Sequence, residues 1–301
     1  MAFPGSQRAL ITGRFGFTGR HLAQFLELRG WEVLGLDPSE ASNPDATPAI
    51  DINDTGSIVQ RLMEVRPTHI VHLAAHSHVV GDPLAFFRVN LLGTESLMEA
   101  IASSGIQPAK VLVASSANVY GNAVRTPITE EEPLRPMNHY ALSKAAMELL
   151  VHKWFERLPI IVTRPFNYTG VGQSPSFLIP KIVAAFHRRD AVLRLGNTGI
   201  ARDFSDVAFV CEAYARLLKS TAHSTVVNIC SGRSTSVNQI LALLTDITGH
   251  RPYIEVDPAL VRKDEVMELR GDSAHLQALV GPLAPVPMRD ILAGMVAPAA
   301  R

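Results

Sequence analysis

The chain has 301 residues, 47% hydrophobic and 19% charged, and its 28 Lys and Arg balance 28 Asp and Glu. Zero formal net charge argues against a protein that binds nucleic acid or an anionic membrane surface through its overall charge. Two cysteines are too few for a disulfide scaffold, and no apolar run approaches the roughly 18 residues of a membrane span. We therefore expect a soluble, cytoplasmic, globular protein of one or two domains.

Short β-branched segments alternate with longer helical patterns over the first two-thirds of the chain. Strands are predicted at Arg8–Thr12, Glu32–Leu36, His69–Ala74, Lys110–Ser115 and Ile160–Thr163. Helices are predicted at Thr18–Arg29, Ser57–Val65, Pro83–Ser104 and His139–Arg157. This alternation implies right-handed crossovers and a doubly wound α/β fold, in which helices cover both faces of a parallel sheet.

After Arg164 the alternation is weaker, and the predicted elements are shorter. They are a helix at Leu178–Arg189, strands at Val192–Leu195, Arg202–Ser205 and Val226–Cys230, and two helices that begin after the capping residues Asp206 and Ser236. We expect a larger domain at 1–165, to which 206–230 returns. A smaller domain, made of 166–205 and 231–301, is interleaved with it.

A glycine-rich segment, Gly13-x-x-Gly16-x-x-Gly19, follows the first predicted strand and opens the first helix. Glycines there let the backbone turn tightly and bring its N–H groups, together with the helix dipole, against a pyrophosphate. This context predicts that the larger domain binds a dinucleotide.

Asp37 ends the second predicted strand, about 20 residues past the glycines. A carboxylate at that position accepts hydrogen bonds from an adenosine ribose and repels a 2′-phosphate, which favours NAD(H). Arg14 lies inside the glycine segment, where a guanidinium can contact an additional phosphate. NADP(H) therefore remains a possible cofactor.

Tyr140 and Lys144 are four residues apart on one face of a predicted helix. An ammonium in that position stabilises a phenolate and is expected to lower the pKa of the tyrosine, which can then act as a general acid or base. Ser116 follows a strand at the carboxyl edge of the sheet, where α/β proteins bind their ligands. We predict that Ser116, Tyr140 and Lys144 are catalytic.

With these motifs the sequence resembles the extended short-chain dehydrogenase/reductases that act on nucleotide sugars. The resemblance covers nearly the whole chain. Further motifs that carry it are Asp51-Ile52, His72–Ala75, Asn90-x-x-Gly93-Thr94, Ser115–Gly121, Arg164–Asn167 and Arg202–Val207.

The resemblance implies roles for individual residues. The cofactor-binding set is Gly13, Phe15, Gly16, Phe17, Gly19, Asp37, Asp51, Ile52, Leu73, Ala74, Ala75, Asn90, Tyr140 and Lys144. The substrate-binding set is His78, Ser116, Asn118, Asn167, Arg202, Arg262 and Glu265. The two arginines are candidates for the substrate diphosphate, because a planar guanidinium binds phosphate through paired hydrogen bonds.

The residues after Ser116 distinguish the reactions of this family. Nucleotide-sugar 4,6-dehydratases carry acidic residues there, whereas this chain has Ala117 and Asn118. An asparagine cannot exchange a proton at neutral pH, which disfavours a dehydratase. A non-catalytic dinucleotide sensor is disfavoured as well, because such proteins typically lack the catalytic tyrosine or lysine. Reductases and 4-epimerases need only serine, tyrosine, lysine and a nicotinamide, so both remain open.

Three further stretches, 133–136, 227–232 and 261–266, are similar to the GDP-sugar branch of the family. This similarity implies reduction of the C4 ketone of GDP-4-keto-6-deoxy-D-mannose to GDP-D-rhamnose. The long helices at Pro83–Ser104 and His139–Arg157 imply a homodimer through a four-helix bundle, as is usual in the family.

Other features predict less. The family usually has proline just before the catalytic tyrosine, where this chain has His139, so we expect the start of that helix to depart from the family's pattern. Glu130–Glu132 is interpreted as a solvated acidic loop. A histidine cluster, made of His69, His72, His76 and His78, has no nearby cysteine or acidic residue before Asp82 to complete a ligand set, and we expect no metal site.

Overall fold

A computed structural model describes residues 7–38, 49–77, 82–261 and 266–297. Its largest sheet consists of six parallel strands: β1 Arg8–Thr12, β2 Glu32–Leu36, β3 His69–His72, β4 Lys110–Ala114, β5 Ile160–Pro165 and β9 Thr225–Ile229. They lie in the order β2-β1-β3-β4-β5-β9. The predicted doubly wound α/β fold is confirmed.

Helices cover both faces of this sheet. One face carries α1 Phe17–Glu27, α7 Val207–Lys219 and α9 Ala274–Val280, and the other carries α2 Thr55–Val65, α4 Gly93–Ser103 and α5 His139–His152. Successive side chains of a strand point to opposite faces, so Ala9 and Ile11 enter the first core while Leu10 enters the second. The strands consequently read as continuous apolar runs.

The predicted helix Pro83–Ser104 is interrupted. It consists of α3 Pro83–Phe87, a π-helical turn at Arg88–Leu92, and α4. Such turns insert an extra residue into a helix and are frequent at functional sites. The turn contains Asn90, whose fully buried side chain faces the candidate site described below.

A second group of elements builds a separate core. Its helices are α6 Leu178–Arg188, α8 Val237–Thr248 and α10 Met288–Val296. Four short strands, β6 Asn167–Thr169, β8 Ala201–Asp206, β10 Ser234–Ser236 and β12 Glu268–Leu269, form a mixed sheet, and β7 Val192–Leu195 pairs with β11 Tyr253–Val256. We call this group the small module.

The two predicted helix caps are present. The Asp206 carboxylate accepts a hydrogen bond from the Ala208 N–H at 2.5 Å and starts α7. Ser236 and Gln239 form a reciprocal capping box at the start of α8, which satisfies two N–H groups at once. Within the described ranges, no helix combines the length and the apolar character required to cross a lipid bilayer.

Candidate active site

The glycine segment forms a tight loop between β1 and α1. Gly13 has φ +71°, and a Cβ added there would lie 3.0 Å from the Ala74 nitrogen. A Cβ added at Gly19 would lie 2.1 Å from the Gly13 carbonyl oxygen. Both positions therefore require glycine. The loop leads into the N-terminus of the 11-residue helix α1, whose geometry suits a pyrophosphate.

Asp37 lies immediately after β2 and fastens this loop to the sheet. Its carboxylate accepts hydrogen bonds from the backbone N–H groups of Arg14 at 3.2 Å and Phe15 at 3.4 Å. Burial raises the pKa of the Asp37 carboxyl, and the two N–H donors oppose that rise. The carboxylate is therefore both a loop anchor and an acceptor beside the loop.

The first turn of α1 also contacts the small module. Phe17 is the first residue of the helix, and its ring stacks on Tyr168 with centroids 6.2 Å apart. The Thr18 and Tyr168 hydroxyl groups are hydrogen-bonded at 2.7 Å. The element that carries the glycine loop is thereby linked to β6.

A hydrogen-bonded chain joins β1, β3 and α4. The Thr12 hydroxyl accepts from the Ala74 N–H at 3.0 Å and donates to Nδ1 of His72 at 2.7 Å. Nε2 of His72 then carries the proton and donates to the Thr94 hydroxyl at 2.8 Å. Burial lowers the pKa of His72 to about 3, so its ring is neutral. The segment from Leu73 to Ala75 follows: the Leu73 N–H still donates to the Thr12 carbonyl, whereas the Ala74 N–H donates to the Thr12 hydroxyl.

The other predicted histidine-cluster residues are also engaged in packing. His69 packs edge-on against Trp31 with centroids 4.8 Å apart, and His76 lies 5.0 Å from the Phe86 ring. In the part of the chain that the structure describes, no three histidine, cysteine or acidic side chains come together as a metal-ligand set. His78 lies outside the described residues.

Asn90 ties the segment after β3 to α5. Its amide nitrogen donates to the Ser143 hydroxyl at 2.9 Å and to the His76 carbonyl at 3.1 Å, and its amide oxygen accepts from the His76 N–H at 2.8 Å. Ser143 in turn donates to the Tyr140 carbonyl at 2.8 Å. These protein groups use both amide protons of its fully buried side chain, so Asn90 supports the site by holding the segment after β3 against α5. A contact of Asn90 with the cofactor stays a prediction.

Asp51 and Ile52 have different environments. The Asp51 carboxylate is exposed and accepts from the Asn53 backbone and side chain, both at 2.9 Å. Ile52 is buried against Gly93, where an added Cβ would lie 2.5 Å from its methyl group. A glycine at the start of α4 thus makes room for Ile52.

Ser116 and Tyr140 meet beyond the carboxyl end of β4. Ser116 caps a short 3-10 turn, Ala117–Tyr120, and its hydroxyl accepts from the Asn118 N–H at 3.2 Å. Burial raises the pKa of Tyr140 to about 12, and a hydrogen bond with the Ser116 side chain opposes that rise. The phenol is therefore protonated at neutral pH and can donate a proton.

Lys144 lies one turn after Tyr140 and is almost fully buried. Its ammonium donates to the Ala114 carbonyl at 2.7 Å, at the end of β4. Burial lowers the pKa of Lys144 to about 8, and Glu148 opposes that shift. The expected lowering of the Tyr140 pKa by Lys144 is wrong for this structure, because burial of the phenol dominates and the ammonium is bonded to β4.

Sequence reasoning missed a buried ion pair beside the catalytic helix. Arg164, at the end of β5, donates from Nη2 to the Glu148 carboxylate at 2.6 Å and from Nε to both its oxygens at 3.1 Å. Nη1 of Arg164 also donates to the Tyr120 hydroxyl at 2.9 Å. Glu148 follows Tyr140 and Lys144 at the same four-residue spacing, so this spacing in the sequence could have pointed to Glu148.

The structure corrects two local expectations from the sequence. Glu130 is not a solvated loop residue, because its largely buried carboxylate accepts from the Asn228 N–H at 2.7 Å. The start of α5 is regular in spite of His139. The Asn138 side chain caps it by accepting from the Ala141 N–H at 2.8 Å.

The predicted substrate residues that the structure describes besides Ser116 lie on three elements. Asn118 is exposed beside Ser116, and Asn167 is exposed at the first position of β6. The Arg202 guanidinium donates to the Ala201 and Val266 carbonyls at 2.8 and 2.9 Å. Arg262 and Glu265 lie outside the described residues.

The fold and this set of serine, tyrosine and lysine define a dinucleotide-dependent oxidoreductase. Comparison with known proteins gives the family. The model of the GDP-mannose 4,6 dehydratase family matches residues 10–295. The chain belongs to this group of the extended short-chain dehydrogenase/reductases that act on nucleotide sugars. It is an NAD(P)-dependent oxidoreductase.

Two curated relatives modify GDP-linked deoxysugars. The chain is 36% identical to the GDP-6-deoxy-D-talose 4-dehydrogenase of Aggregatibacter actinomycetemcomitans, with 91% of each chain covered. It is 33% identical to the GDP-6-deoxy-D-mannose reductase of Pseudomonas aeruginosa, over 92% of this chain and 91% of that one.

Two solved structures share the fold and hold dinucleotides. RMD from Pseudomonas aeruginosa, in complex with NADPH, superposes with a TM-score of 0.85 at 32% identity, covering 97% of this chain and 96% of that one. The UDP-glucose 4-epimerase of Thermus thermophilus, in complex with NAD, gives 0.81 at 28%, covering 96% and 98%. Gly13 and Gly19, where a side chain would fill the loop, fit a dinucleotide in this chain.

Proposed function

We propose that this protein reduces the C4 ketone of a nucleotide-linked 4-keto-6-deoxyhexose, converting GDP-4-keto-6-deoxy-D-mannose to GDP-D-rhamnose. The observation that carries the proposal is the hydrogen bond between the Tyr140 phenol and the side chain of Ser116, a serine that is followed in the chain by Ala117 and Asn118 instead of acidic residues. Reduction of a ketone needs one proton donor, and elimination of water needs an additional acid and base. The two GDP-deoxysugar relatives support the substrate class.

The residues divide the chemistry between them. The nicotinamide cofactor supplies the hydride when bound. The Ser116 oxygen already accepts from the Asn118 N–H, so its own proton can be donated to the sugar oxygen as negative charge develops. Tyr140 transfers its phenolic proton to that oxygen. Lys144, fixed by the Ala114 carbonyl, holds the nicotinamide ribose.

The dinucleotide would be held by the glycine loop and the start of α1, with Leu73 to Ala75 along its ribose and phosphate path. Asp37 favours NAD(H), because its carboxylate lies where a 2′-phosphate would be repelled. For the sugar nucleotide, the proposed contacts are His78, Asn118, Asn167, Arg202, Arg262 and Glu265.

The proposed domains correspond to these two binding roles, one for the cofactor and one for the sugar nucleotide. We propose a dinucleotide-binding domain at 1–165 to which 206–230 returns, and a substrate-binding domain at 166–205 and 231–301. Pairing of β9 with β5 and the separate core of the small module support it, whereas α9, which lies within 231–301, packs on the large sheet. We also propose a homodimer through a four-helix bundle formed by the regions Pro83–Ser104 and His139–Arg157 of each copy. Leu84, Leu92 and Leu149 in these regions expose 66%, 56% and 69% of their surface. A cytoplasmic location completes the proposal.

The test is cofactor oxidation by purified protein. Wild type mixed with GDP-4-keto-6-deoxymannose and NADH or NADPH is expected to consume the cofactor, and Tyr140→Phe to lose at least about 100-fold in kcat. Tyr253→Phe, which alters an exposed phenol, is the matched control. Absence of oxidation with GDP-, dTDP- and UDP-linked ketosugars would exclude a reductase. The C4 configuration of the product, read by NMR, distinguishes rhamnose from talose.

The alternative is a 4-epimerase that retains NAD and returns hydride to the opposite face of the sugar. The similarity to the NAD-bound UDP-glucose 4-epimerase supports this alternative function. Such an enzyme would purify with tightly bound NAD and interconvert nucleotide sugars with no net cofactor turnover.

A further inference from the structure

The glycine loop carries a positive charge that the structure directs to a particular partner. Nη2 of Arg14 donates to Oε1 of Glu27, in the last turn of α1, at 2.9 Å. The side chains of Arg14 and Glu27 are 21% and 44% exposed, so the pair is partly accessible to solvent.

The path of the Arg14 side chain depends on Gly35 in β2. A Cβ added at Gly35 would lie 3.2 Å from Cδ of Arg14, 3.4 Å from its Cβ and 3.1 Å from Oδ2 of Asp37. The absent side chain therefore leaves room for the Arg14 stem and the Asp37 carboxylate side by side. The guanidinium continues past this point to Glu27.

Three charges thus surround the place where the adenosine ribose of a dinucleotide would lie next to Asp37. A 2′-phosphate is repelled by Asp37 and attracted by Arg14. Glu27 reduces that attraction in two ways, because it neutralises the guanidinium and occupies one of its hydrogen-bonding edges. Without Glu27 the local formal charge changes from −1 to 0.

We propose that Glu27 is a specificity-determining residue for the cofactor, which disfavours 2′-phosphorylated dinucleotides by binding Arg14. Asp37 sets the main preference, and Glu27 adds a smaller one through the orientation of an arginine that would otherwise bind the phosphate. The inference rests on dinucleotide binding at this loop and is independent of which sugar is reduced.

The test is a binding titration, which needs no sugar substrate. Purified wild type and Glu27→Gln are titrated with NADH and NADPH by fluorescence, and with 5′-AMP and adenosine 2′,5′-bisphosphate as competitors that differ only in the 2′-phosphate. We expect Glu27→Gln to tighten NADPH and the bisphosphate about threefold, and to leave NADH and AMP unchanged. The gain should shrink as salt is raised.

Two further variants isolate the mechanism. In an Arg14→Ala background, Glu27→Gln should lose most of its effect, because the arginine that it releases is absent. Glu32→Gln is the matched control: it removes one carboxylate from a similar pair, with Arg8 at 2.7 Å, at the far end of β2. Equal shifts for NADH and NADPH, no shift, or a full effect without Arg14 would overturn the proposal. An inactive ketosugar assay with the expected titration would overturn only the proposed reaction.

Discussion

The large sheet and the small module each bury a carboxylate, and they satisfy it in different ways. In the first region Glu148 on α5 is compensated by the guanidinium of Arg164 on β5. In the second, the donors to Asp203 on β8 among the described residues are neutral groups: the Ser231 N–H at 2.9 Å, its hydroxyl at 2.6 Å, and the N–H groups of Gly232 at 2.9 Å and Gly271 at 3.4 Å.

The difference reflects what each carboxylate must hold. Glu148 and Arg164 join a helix to a strand, both already rigid through their own backbone hydrogen bonds, so one side-chain pair suffices. Asp203 holds two irregular segments, at Ser231–Gly232 and at Gly271. Their backbone N–H groups donate to the carboxylate, which satisfies them where no regular helix or strand does. Burial raises the pKa of Asp203 and its donors oppose the rise. At these two buried carboxylates, the large sheet thus uses a side-chain ion pair and the small module uses backbone and hydroxyl donors.

The largest effect is expected for Arg164→Met. It leaves Glu148 buried without a compensating charge, which should lower the free energy of unfolding by about 3–5 kcal/mol, measured by urea denaturation. The double variant Arg164→Met with Glu148→Leu should recover most of the loss. Arg194→Met removes the exposed pair with Glu255 in the small module and should cost less than about 1 kcal/mol. Equal losses for the two arginine variants would contradict the comparison.

The next effect concerns the glycine loop of the large sheet. Gly19→Ala puts a Cβ 2.1 Å from the Gly13 carbonyl, so the loop must move, and we expect the Kd for NADH to rise at least about 30-fold, or about 2 kcal/mol. Fluorescence titration measures it. Gly294→Ala in α10 meets no atom within 4 Å and should leave the Kd unchanged. An unaltered Kd for Gly19→Ala would refute the assignment of the loop.

A third effect is a pH dependence set by Lys144. Its ammonium loses a proton as pH rises through about 8, so kcat for ketone reduction should fall about fivefold between pH 8 and pH 9. Because the folded pKa is below the ordinary value of 10.5, the unfolded chain binds more protons between these values. The contribution of Lys144 to stability therefore increases with pH in that window. A kcat profile that is flat to pH 9.5 would show that the ammonium is not required.

The smallest effect is expected in the small module. Asp203→Asn keeps the shape of the side chain but turns an amide nitrogen toward backbone N–H donors, which should cost about 1 kcal/mol and lower Tm by a few degrees. Thermal unfolding followed by circular dichroism measures the shift. A loss as large as that of Arg164→Met would mean that backbone bonding holds the small module as strongly as charge pairing holds the sheet.

The sequence predicted the large sheet better than the small module for a physical reason. Buried parallel strands are continuous apolar runs, so β1, β2 and β4 were located to within one residue. The two-residue strand β12 exists only because β8 offers it a partner, and no local pattern predicts it. The π turn around Asn90 was likewise missed, and the Asn90 side chain within it bonds His76 and Ser143, which are 14 and 53 residues away in the chain.

The candidate site shows the same limit. Residue types and spacing were enough to select Ser116, Tyr140 and Lys144. The direction of the Tyr140 pKa shift could not be predicted from residue types and spacing, because it depends on how deeply the folded chain buries the phenol. The partner of Glu148 was hidden for the same reason, since β5 and α5 meet only in the folded chain.

The position of β9 in the large sheet has a consequence for synthesis of the protein. β9 is the edge strand next to β5, yet about 60 residues, most of them in the small module, separate the two in the chain. At about 5–20 residues per second, the ribosome needs roughly 3–12 s to deliver β9 after β5. During that interval the nascent sheet would end at β5, whose apolar residues and unpaired backbone could join another nascent chain. Slow stretches of translation between these strands would therefore lower the yield of folded protein.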